Sequence, residues 1–177
     1  MLKTERLSLR FVKAEDIEAI HKLLSLPETD QFNTMGIPAS SDETYVFVKQ
    51  WLEEAKPIKR NKFTYVIEDG ENQIIGLIAL NLSQEKYSRG EVWYKLLPDF
   101  WKRGFATEAL KGILKFGFNN LKLHRIEAGC AVDNIGSVKV LEKAGMIREG
   151  RKRQVLPLKT GWSDGYDYAI LAEDFQG

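Results

Sequence analysis

The sequence predicts an α/β (α+β) protein with a mixed, mostly antiparallel central sheet of about seven strands and helices on both faces. Three strand-like segments between residues 63 and 96 follow one another through short turns, which favours antiparallel pairing. A later strand–helix–strand unit favours one parallel pair. The chain has 177 residues, of which 44% are apolar and 29% charged. This length and composition predict a single domain over residues 1–177.

The first predicted elements are a strand and two helices. Polar and apolar residues alternate from Leu7 to Phe11, which is typical of a half-buried strand. Apolar residues recur at helical spacing over 15–24, and residues 25–40, with two prolines and a glycine, are expected to form an irregular loop. Residues 40–43 have the pattern of a capping box, which opens a helix through about residue 55.

The rest of the chain alternates strands, turns and helices. The segment from Asp69 to Asn72 supplies a turn between two strands, and Gly145 follows a helix where a left-handed cap is expected. The remaining predicted elements are strands at 63–67, 73–82, 91–96, 125–132, 146–156 and 161–172, and helices at 106–121 and 134–144.

The charge distribution argues against a nucleic-acid partner. The chain has 26 Lys and Arg against 25 Asp and Glu, whereas a nucleic-acid binder usually carries its basic charge as a patch. One dense basic run is interrupted by Glu149 and is interpreted as a solvated strand edge. That run contains Arg148, Arg151, Lys152 and Arg153.

The cytoplasm is the expected compartment. The opening residues lack the apolar core of a secretory signal, and no run approaches the ~18 apolar residues that span a bilayer, so no membrane partner is expected. The single cysteine, Cys130, excludes an internal disulfide, and its apolar neighbours indicate an inert buried thiol. The two histidines, His21 and His124, lie in unrelated segments, and no metal site is expected.

One glycine-containing segment has the features of an anion site. Residues 101–109 read Trp-Lys-Arg-Gly-Phe-Ala-Thr-Glu-Ala and lie between a predicted strand and an apolar helix. Gly104 permits a tight turn, and Ala106, two residues later, has a small side chain. Unpaired N–H groups at the positive end of a helix can hold a pyrophosphate. The alternative is an ordinary turn with small residues for packing.

A second polar pair lies at the start of the later helix. Asn134 is a suitable N-cap, and Ser137 lies on the same face of the first turn. Helix capping is one interpretation of this pair. In the other, both side chains point into a cleft beside the glycine segment, because the strand before them would pair next to it.

Several motifs in order resemble the GNAT superfamily of N-acetyltransferases, most closely the branch of ribosomal-protein N-terminal acetyltransferases. The similarity spans nearly the whole chain, and any one motif alone would be weak. The motifs are Thr4-Glu5-Arg6-Leu7-x-Leu9-Arg10, Trp101-x-x-Gly104-x-Ala106-Thr107-Glu108-Ala109, Asn134-x-x-Ser137, Leu141-Glu142-Lys143-x-Gly145 and Trp162-x-Asp164-x-x-x-Tyr168.

The resemblance implies a binding mode for acetyl-CoA. Two middle strands would splay apart and leave a wedge for the pantetheine arm. Asn134 would bind the pantetheine side, and Ser137 would lie near the thioester sulfur. Main-chain groups of Tyr94, Lys95 and Leu96 would pair with the pantetheine amides and polarise the acetyl carbonyl. The pyrophosphate would be held by amides of Arg103, Gly104, Phe105, Ala106 and Thr107.

One departure from the family pattern leaves two functions open. Many members carry a tyrosine general acid where this chain has Leu141, and leucine cannot donate a proton. Ser137 is the nearest replacement, so an active enzyme with Glu91 as base and Ser137 as acid is one hypothesis. A CoA-binding regulator that no longer transfers acetyl is the other. Independently of Leu141, a third hypothesis is a small scaffold that binds no cofactor, in which the glycine segment is only a turn.

The expected acceptor is an amine, either a protein or peptide N-terminus or a small molecule such as a polyamine or aminoglycoside. Deprotonation of an ammonium group with a pKa of ~10.4 costs about 4 kcal/mol near pH 7.4. For an α-amino group, with a pKa of ~7.7–8.0, the same step costs less than about 1 kcal/mol. Direct attack in a ternary complex is expected. Trp93 and Asp164 are candidate acceptor contacts, although Asp164 is also suited to a structural pair with Arg6 or Arg10. A homodimer is one assembly that the chain could form.

Overall fold

Among the residues that the structure describes, the central sheet has eight strands: β1 Leu2–Lys3, β2 Ser8–Phe11, β3 Lys62–Glu68, β4 Ile74–Leu82, β5 Arg89–Leu96, β6 Arg125–Ala131, β7 Ile147–Leu158 and β8 Gly161–Leu171. Their order across the sheet is β1-β2-β3-β4-β5-β6-β8-β7, and only the neighbours β5 and β6 run parallel. The computed structural model describes residues 1–54 and 60–176. The predicted sheet of about seven mostly antiparallel strands is therefore confirmed with one addition, because Leu2–Lys3 pairs with the strand that follows it. Such a two-residue strand is too short to show an alternating pattern in the sequence.

Five α-helices accompany the sheet in the described ranges 1–54 and 60–176. They are α1 Ile17–Leu24, α2 Pro27–Asp30, α3 Ser41–Glu54, α4 Phe105–Asn119 and α5 Ile135–Lys143.

The segment predicted as an irregular loop over 25–40 contains a short helix, and that part of the prediction is wrong. Helix α2 begins at Pro27, whose fixed backbone suits a first helical position. Thr29 holds the helix against α1, because its hydroxyl donates to the Leu23 carbonyl at 2.7 Å. A four-residue helix lies below the length at which helical periodicity can be seen.

Local sequence signals set the ends of several elements. The Ser40 hydroxyl accepts from the Glu43 N–H at 3.4 Å, as in a capping box. The Glu43 carboxylate accepts from the Ala39 N–H at 2.7 Å, one residue before the position that a regular capping box uses. Gly145 adopts φ +90° after α5, the predicted left-handed cap. Helix α3 reaches Glu54, and its predicted end at residue 55 lies outside the described residues.

Two apolar layers cover the sheet. Ile67 and Ile78 face α4 and α5, whereas their neighbours Val66 and Leu77 face α1 and α3. Successive strand residues point to opposite faces, so a strand buried on both faces is apolar throughout. This explains the continuous apolar character of β3 and β4, and it confirms helices on both faces.

The β5–β6 ladder ends early. Parallel pairing joins Arg89–Glu91 to Arg125–Glu127 and stops there. Beyond that point β5 continues to Leu96 alongside β4, and β6 continues to Ala131 alongside β8. The two strands therefore diverge and leave an open wedge, as the family resemblance implies.

A polar clamp fastens the amino-terminal segment to the start of α4. The Glu108 carboxylate accepts from the Thr4 hydroxyl at 2.6 Å, from the Arg6 N–H at 2.7 Å and from the Arg6 guanidinium at 2.7 Å. Burial alone would raise the pKa of Glu108, but these hydrogen bonds outweigh it and lower the pKa. The same guanidinium donates to the Arg103 carbonyl at 3.2 Å. The clamp thus fixes the loop that precedes α4.

Glu108→Gln should lower the free energy of unfolding by about 1–2 kcal/mol at pH 7, because an amide cannot accept all three bonds. The folded pKa of Glu108 lies below its unfolded value, so this stability is present above the unfolded pKa, about 4.3, and is lost as pH falls through the folded pKa. Urea denaturation of both proteins should therefore show the difference shrinking below about pH 4.

Glu15→Gln is the matched control, because Glu15 forms an exposed pair with Lys13 at 3.1 Å. This change should alter stability by less than about 0.5 kcal/mol. A Glu108→Gln difference that stays the same from neutral to acidic pH would contradict the assignment of the clamp to an ionised carboxylate.

Candidate active site

The loop before α4 leads into the main-chain donors of a helix start. Gly104 is the N-cap of α4 with φ +84°, a left-handed conformation that favours glycine, and Lys102 is also left-handed at φ +59°. The Glu108 N–H returns to the Gly104 carbonyl at 3.0 Å as the first helical bond. The N–H groups just before it belong to the unpaired set at a helix start, as predicted for Gly104, Phe105, Ala106 and Thr107.

Two arginines border this loop. The Arg6 guanidinium lies 4.5 Å from the Phe105 ring centroid, and the Arg103 guanidinium lies 5.2 Å from the same ring. A Cβ added to Gly104 would lie 3.3 Å from Arg6 Nη2. The predicted anion site therefore has a cation that local reasoning missed, although Arg6 belongs to the opening motif Thr4-Glu5-Arg6-Leu7.

The wedge exposes part of the β5 main chain. The Leu97 N–H donates to the Ile75 carbonyl at 2.9 Å. Lys95, two residues before Leu97 in β5, is paired with Leu77 of β4. Because antiparallel bonding alternates, the main chain of Lys95 faces β4, and that of Tyr94 faces the wedge. The Leu96 carbonyl accepts from the Trp101 indole at 2.8 Å. Of the three predicted residues, Tyr94 therefore offers both its main-chain groups to a ligand in the wedge.

The side chain of Tyr94 contacts Ser137, the predicted proton donor, across the wedge. The Asn134 side chain accepts from the Ser137 N–H at 3.0 Å, so Asn134 is an N-cap as predicted. The Ser137 hydroxyl lies 2.8 Å from the Tyr94 hydroxyl. Burial raises the pKa of Tyr94 well above its usual range, so the phenol stays protonated at neutral pH. The sequence contained no signal for this pair, because it joins residues far apart in the chain.

The neighbours of Ser137 are apolar or protonated. Leu141 is buried and supplies no proton donor. Burial raises the pKa of Cys130 to about 11, and its hydrogen bond with Ser137 opposes the shift only in part. The thiol is therefore inert near neutral pH, as predicted. Tyr168 is also buried, and its hydroxyl donates to Glu142 at 3.2 Å.

The other face of β5 carries Glu91, Trp93 and Lys95. Glu91 is exposed and stands opposite Glu127 in the last parallel pair, at the apex of the wedge. Trp93 is half-buried, and its ring centroid lies 6.2 Å from that of Trp51. Burial lowers the pKa of Lys95 to about 8. This face is the side of the wedge that lies towards α1 and α3.

Asp164 is engaged within the β7–β8 hairpin. Its carboxylate accepts from Arg151 at 2.7 Å and from the Gln154 N–H at 2.8 Å, and these bonds lower its pKa, the backbone bond most. The alternative pairing with Arg6 or Arg10 is wrong. Arg6 binds Glu108, and Arg10 binds Asp16 and Glu68. The geometry favours the structural role for Asp164 over acceptor binding.

Within the part of the chain that the structure describes, no helix is both long and apolar enough to cross a membrane.

Comparisons with known proteins agree with this geometry. The family model of the acetyltransferase (GNAT) domain matches residues 6–147. An uncharacterised N-acetyltransferase of Bacillus subtilis, YnaD, is 31% identical over 176 residues, which cover 98% of this chain and 98% of that protein.

Solved structures share the fold. A GNAT-family acetyltransferase from Bacillus anthracis is 32% identical, with a TM-score of 0.84, and the match covers 97% of this chain and 98% of that one. The spermidine N-acetyltransferase of Vibrio cholerae in complex with CoA and spermine is 23% identical, with a TM-score of 0.85 over 97% of this chain and 98% of that one. The diverging strands, the loop at Gly104 and these matches together show that the chain belongs to the GNAT family and is an acetyl-CoA-dependent N-acetyltransferase.

Proposed function

We propose that this N-acetyltransferase transfers the acetyl group of acetyl-CoA to a primary amine by direct attack in a ternary complex, with protein or peptide N-termini as the favoured acceptors. The observation that carries the proposal is the wedge between β5 and β6, which ends at Glu91 and opens beside the loop before α4. A linear carrier fits this shape with its phosphates at the loop and its thioester at the strands.

The donors that would bind acetyl-CoA are already oriented. Amides from Arg103 to Thr107 would hold the pyrophosphate at the positive end of α4, with Arg6 close by. The main chain of Tyr94 would pair with the pantetheine arm in place of the missing β6 partner. Asn134 would border the same arm. Acetyl-CoA supplies an acetyl thioester as the second substrate.

The reaction needs a proton acceptor and a proton donor. A neutral amine would attack the carbonyl carbon, a C–N bond would form, and the C–S bond would break. Glu91 would accept the amine proton, and Ser137 would donate a proton to the departing sulfur. Tyr94 would then return a proton to Ser137 through the 2.8 Å contact between their hydroxyls, and solvent would reprotonate the phenolate and take up the proton held by Glu91. This pair offsets the absence of a proton donor at Leu141.

The acceptor class rests on the cost of neutralising the amine. An α-amino group, with a pKa of ~7.7–8.0, needs less than about 1 kcal/mol to be neutral near pH 7.4, which favours N-termini over a lysine side chain. Relatives carry names of both kinds, a putative ribosomal N-acetyltransferase and a spermidine N-acetyltransferase. Polyamines or aminoglycosides are the alternative acceptors.

We include a cytoplasmic location and a homodimer in the proposal.

Leu141 is the observation that would favour CoA binding without turnover over acetyl transfer. Release of free thiol from acetyl-CoA, measured with a panel of peptide N-termini, polyamines and aminoglycosides, separates the two. Thiol release that depends on one of these amines supports the enzyme. Tight CoA binding without release from any amine supports the regulator.

Gly104→Glu should weaken CoA binding by at least about 10²-fold, because it adds a carboxylate and a side-chain penalty at a left-handed position beside the phosphates. Calorimetric titration with CoA measures the effect. Gly36→Glu is the control, since Gly36 is equally left-handed, at φ +81°, on a different loop. Unchanged affinity in a folded Gly104→Glu protein would remove the pyrophosphate assignment.

Ser137→Ala should lower kcat by about 10²-fold, and Tyr94→Phe by about 10-fold, because the first removes the donor and the second only its resupply. The KM for acetyl-CoA should change by less than about 3-fold in both. Tyr87→Phe, at an exposed tyrosine, is the control. Equal losses in acetyl-CoA affinity and in turnover would reduce Ser137 to a binding residue.

Glu91→Gln should lower the rate by about 10²-fold at pH 7 and by progressively less as pH rises, because hydroxide can then accept the amine proton in place of Glu91. Glu127→Gln is the matched control, since Glu127 stands opposite Glu91 in the ladder but binds Arg125 at 2.8 Å. A pH–rate profile of Glu91→Gln that parallels that of the parent protein would discard Glu91 as the base.

A further inference from the structure

The wedge side of β5 carries main-chain groups that repeat at a fixed interval. The bond from the Leu97 N–H to the Ile75 carbonyl shows that the odd-numbered residues of this strand face β4. The even-numbered residues Tyr94 and Leu96 therefore direct their main-chain groups into the wedge. Their carbonyls lie about 7 Å apart, because each strand residue advances the chain by about 3.4 Å. The wedge thus has two similar positions at which an extended ligand can pair.

The outer of these two positions is occupied by a side chain. The Trp101 indole N–H donates to the Leu96 carbonyl at 2.8 Å. A short turn brings the indole back to the strand, because the Phe100 N–H donates to the Leu97 carbonyl and the Trp101 N–H donates to the Pro98 carbonyl, both at 3.0 Å. The indole therefore bonds to the Leu96 carbonyl as a β6 amide would in a continuous parallel pair.

The position of Trp101 points to a ligand more than to the core. The residue is 43% exposed, so much of its ring lies outside the apolar layers. A carbonyl at the open side of the wedge can bond to water at little cost, so the Leu96 carbonyl does not require the indole. Trp101 lies in the chain between Leu96 and Gly104, and the arm of acetyl-CoA would pass between the same two elements.

A ligand that pairs with the edge of a strand can slip along it by one repeat. The arm of acetyl-CoA is a chain of single bonds, so a diphosphate held at Gly104 does not alone fix where the thioester stops. Inward slippage ends at Glu91, where the parallel pairs begin. Outward slippage would pair the arm with Leu96 and move the thioester about 7 Å from its place beside Tyr94 and Ser137. Proton transfer needs about 2.6–3.2 Å, so the slipped complex would not react.

We propose that Trp101 is a positioning residue that sets the register of acetyl-CoA in the wedge by keeping the Leu96 carbonyl occupied. This inference rests on the proposed function and deepens it, because it assigns a residue that places the thioester. With Leu96 occupied, Tyr94 is the outermost residue with which the arm can pair. The arm then brings the thioester to Ser137 and not short of it.

Trp101→Phe removes the donor and keeps an aromatic ring. The Leu96 carbonyl should then accept an amide of the arm, and one such bond favours the slipped complex by about 3–10-fold. Slipped complexes hold acetyl-CoA without reacting, so kcat and the KM for acetyl-CoA should fall together by this factor. Their ratio kcat/KM should stay within about 2-fold of the parent value. Steady-state thiol release measures both constants.

Trp101→Gln is the matched variant, because its side-chain nitrogen lies as many bonds from Cα as the indole nitrogen and can donate to the same carbonyl. It should restore most of the kcat that Trp101→Phe loses, although it lacks the ring. Trp162→Phe is the control, since Trp162 is 66% exposed on the β7–β8 hairpin. Three results overturn the proposal: a lower kcat/KM in Trp101→Phe, unchanged constants in that variant, or a Trp101→Gln protein that behaves like it.

The register also has a signature that does not depend on turnover. The NMR resonance of an isotope-labelled acetyl carbonyl should show one environment for acetyl-CoA bound to the parent protein and a second environment in Trp101→Phe. The Trp101 indole proton should stay protected from exchange with water when acetyl-CoA binds. A single carbonyl environment in folded Trp101→Phe, or an indole proton that loses its protection on binding, overturns the proposal.

The two levels of inference fail in different ways. A second carbonyl environment in Trp101→Phe, without thiol release by the parent protein from any amine, would support the register and refute acetyl transfer. Amine-dependent thiol release by the parent protein, together with a higher KM for acetyl-CoA in Trp101→Phe, would leave the acetyltransferase intact and refute the register.

Discussion

The structure depends on one interrupted hydrogen-bond ladder. Parallel strands normally bond along their shared length, yet β5 and β6 share only the pairs from Arg89–Glu91 to Arg125–Glu127. Past that point each strand is held from its other side, by β4 and by β8. The main-chain groups left in the gap need partners, and an amide-bearing ligand can supply them. The gap is thus an unfilled position in the sheet.

The chemistry on either side of the gap follows from strand alternation. Tyr94 reaches across to Ser137 on one face of the sheet, whereas Glu91 and Lys95 point to the opposite face. The proposed proton donor and the proposed proton acceptor are thereby separated by the thickness of a single strand. This arrangement suits a reaction in which the nucleophile enters from one side and the leaving group departs on the other.

Features set by neighbouring residues could be predicted from the sequence. The capping box at Ser40 and Glu43, the left-handed cap at Gly145 and the glycine loop at Gly104 each depend on a few adjacent residues. The contacts from Tyr94 to Ser137 and from Asp30 to Lys159 could not be predicted, because they join residues that only the sheet topology brings together. The partners of Asp164 could not be predicted for the same reason. Its carboxylate binds groups of its own bulged hairpin and not the arginine of a distant strand.

The clamp at Glu108 couples two parts of the molecule that are distant in the sequence. It ties Thr4 and Arg6, at one edge of the sheet, to the turn that begins α4. The amino-terminal edge of the sheet and the end of the fold that is proposed to bind the pyrophosphate are thus mechanically coupled. Ligand occupancy at that end should therefore stiffen the first two strands, so hydrogen exchange of the amides at residues 2–9 would slow together with that of the loop.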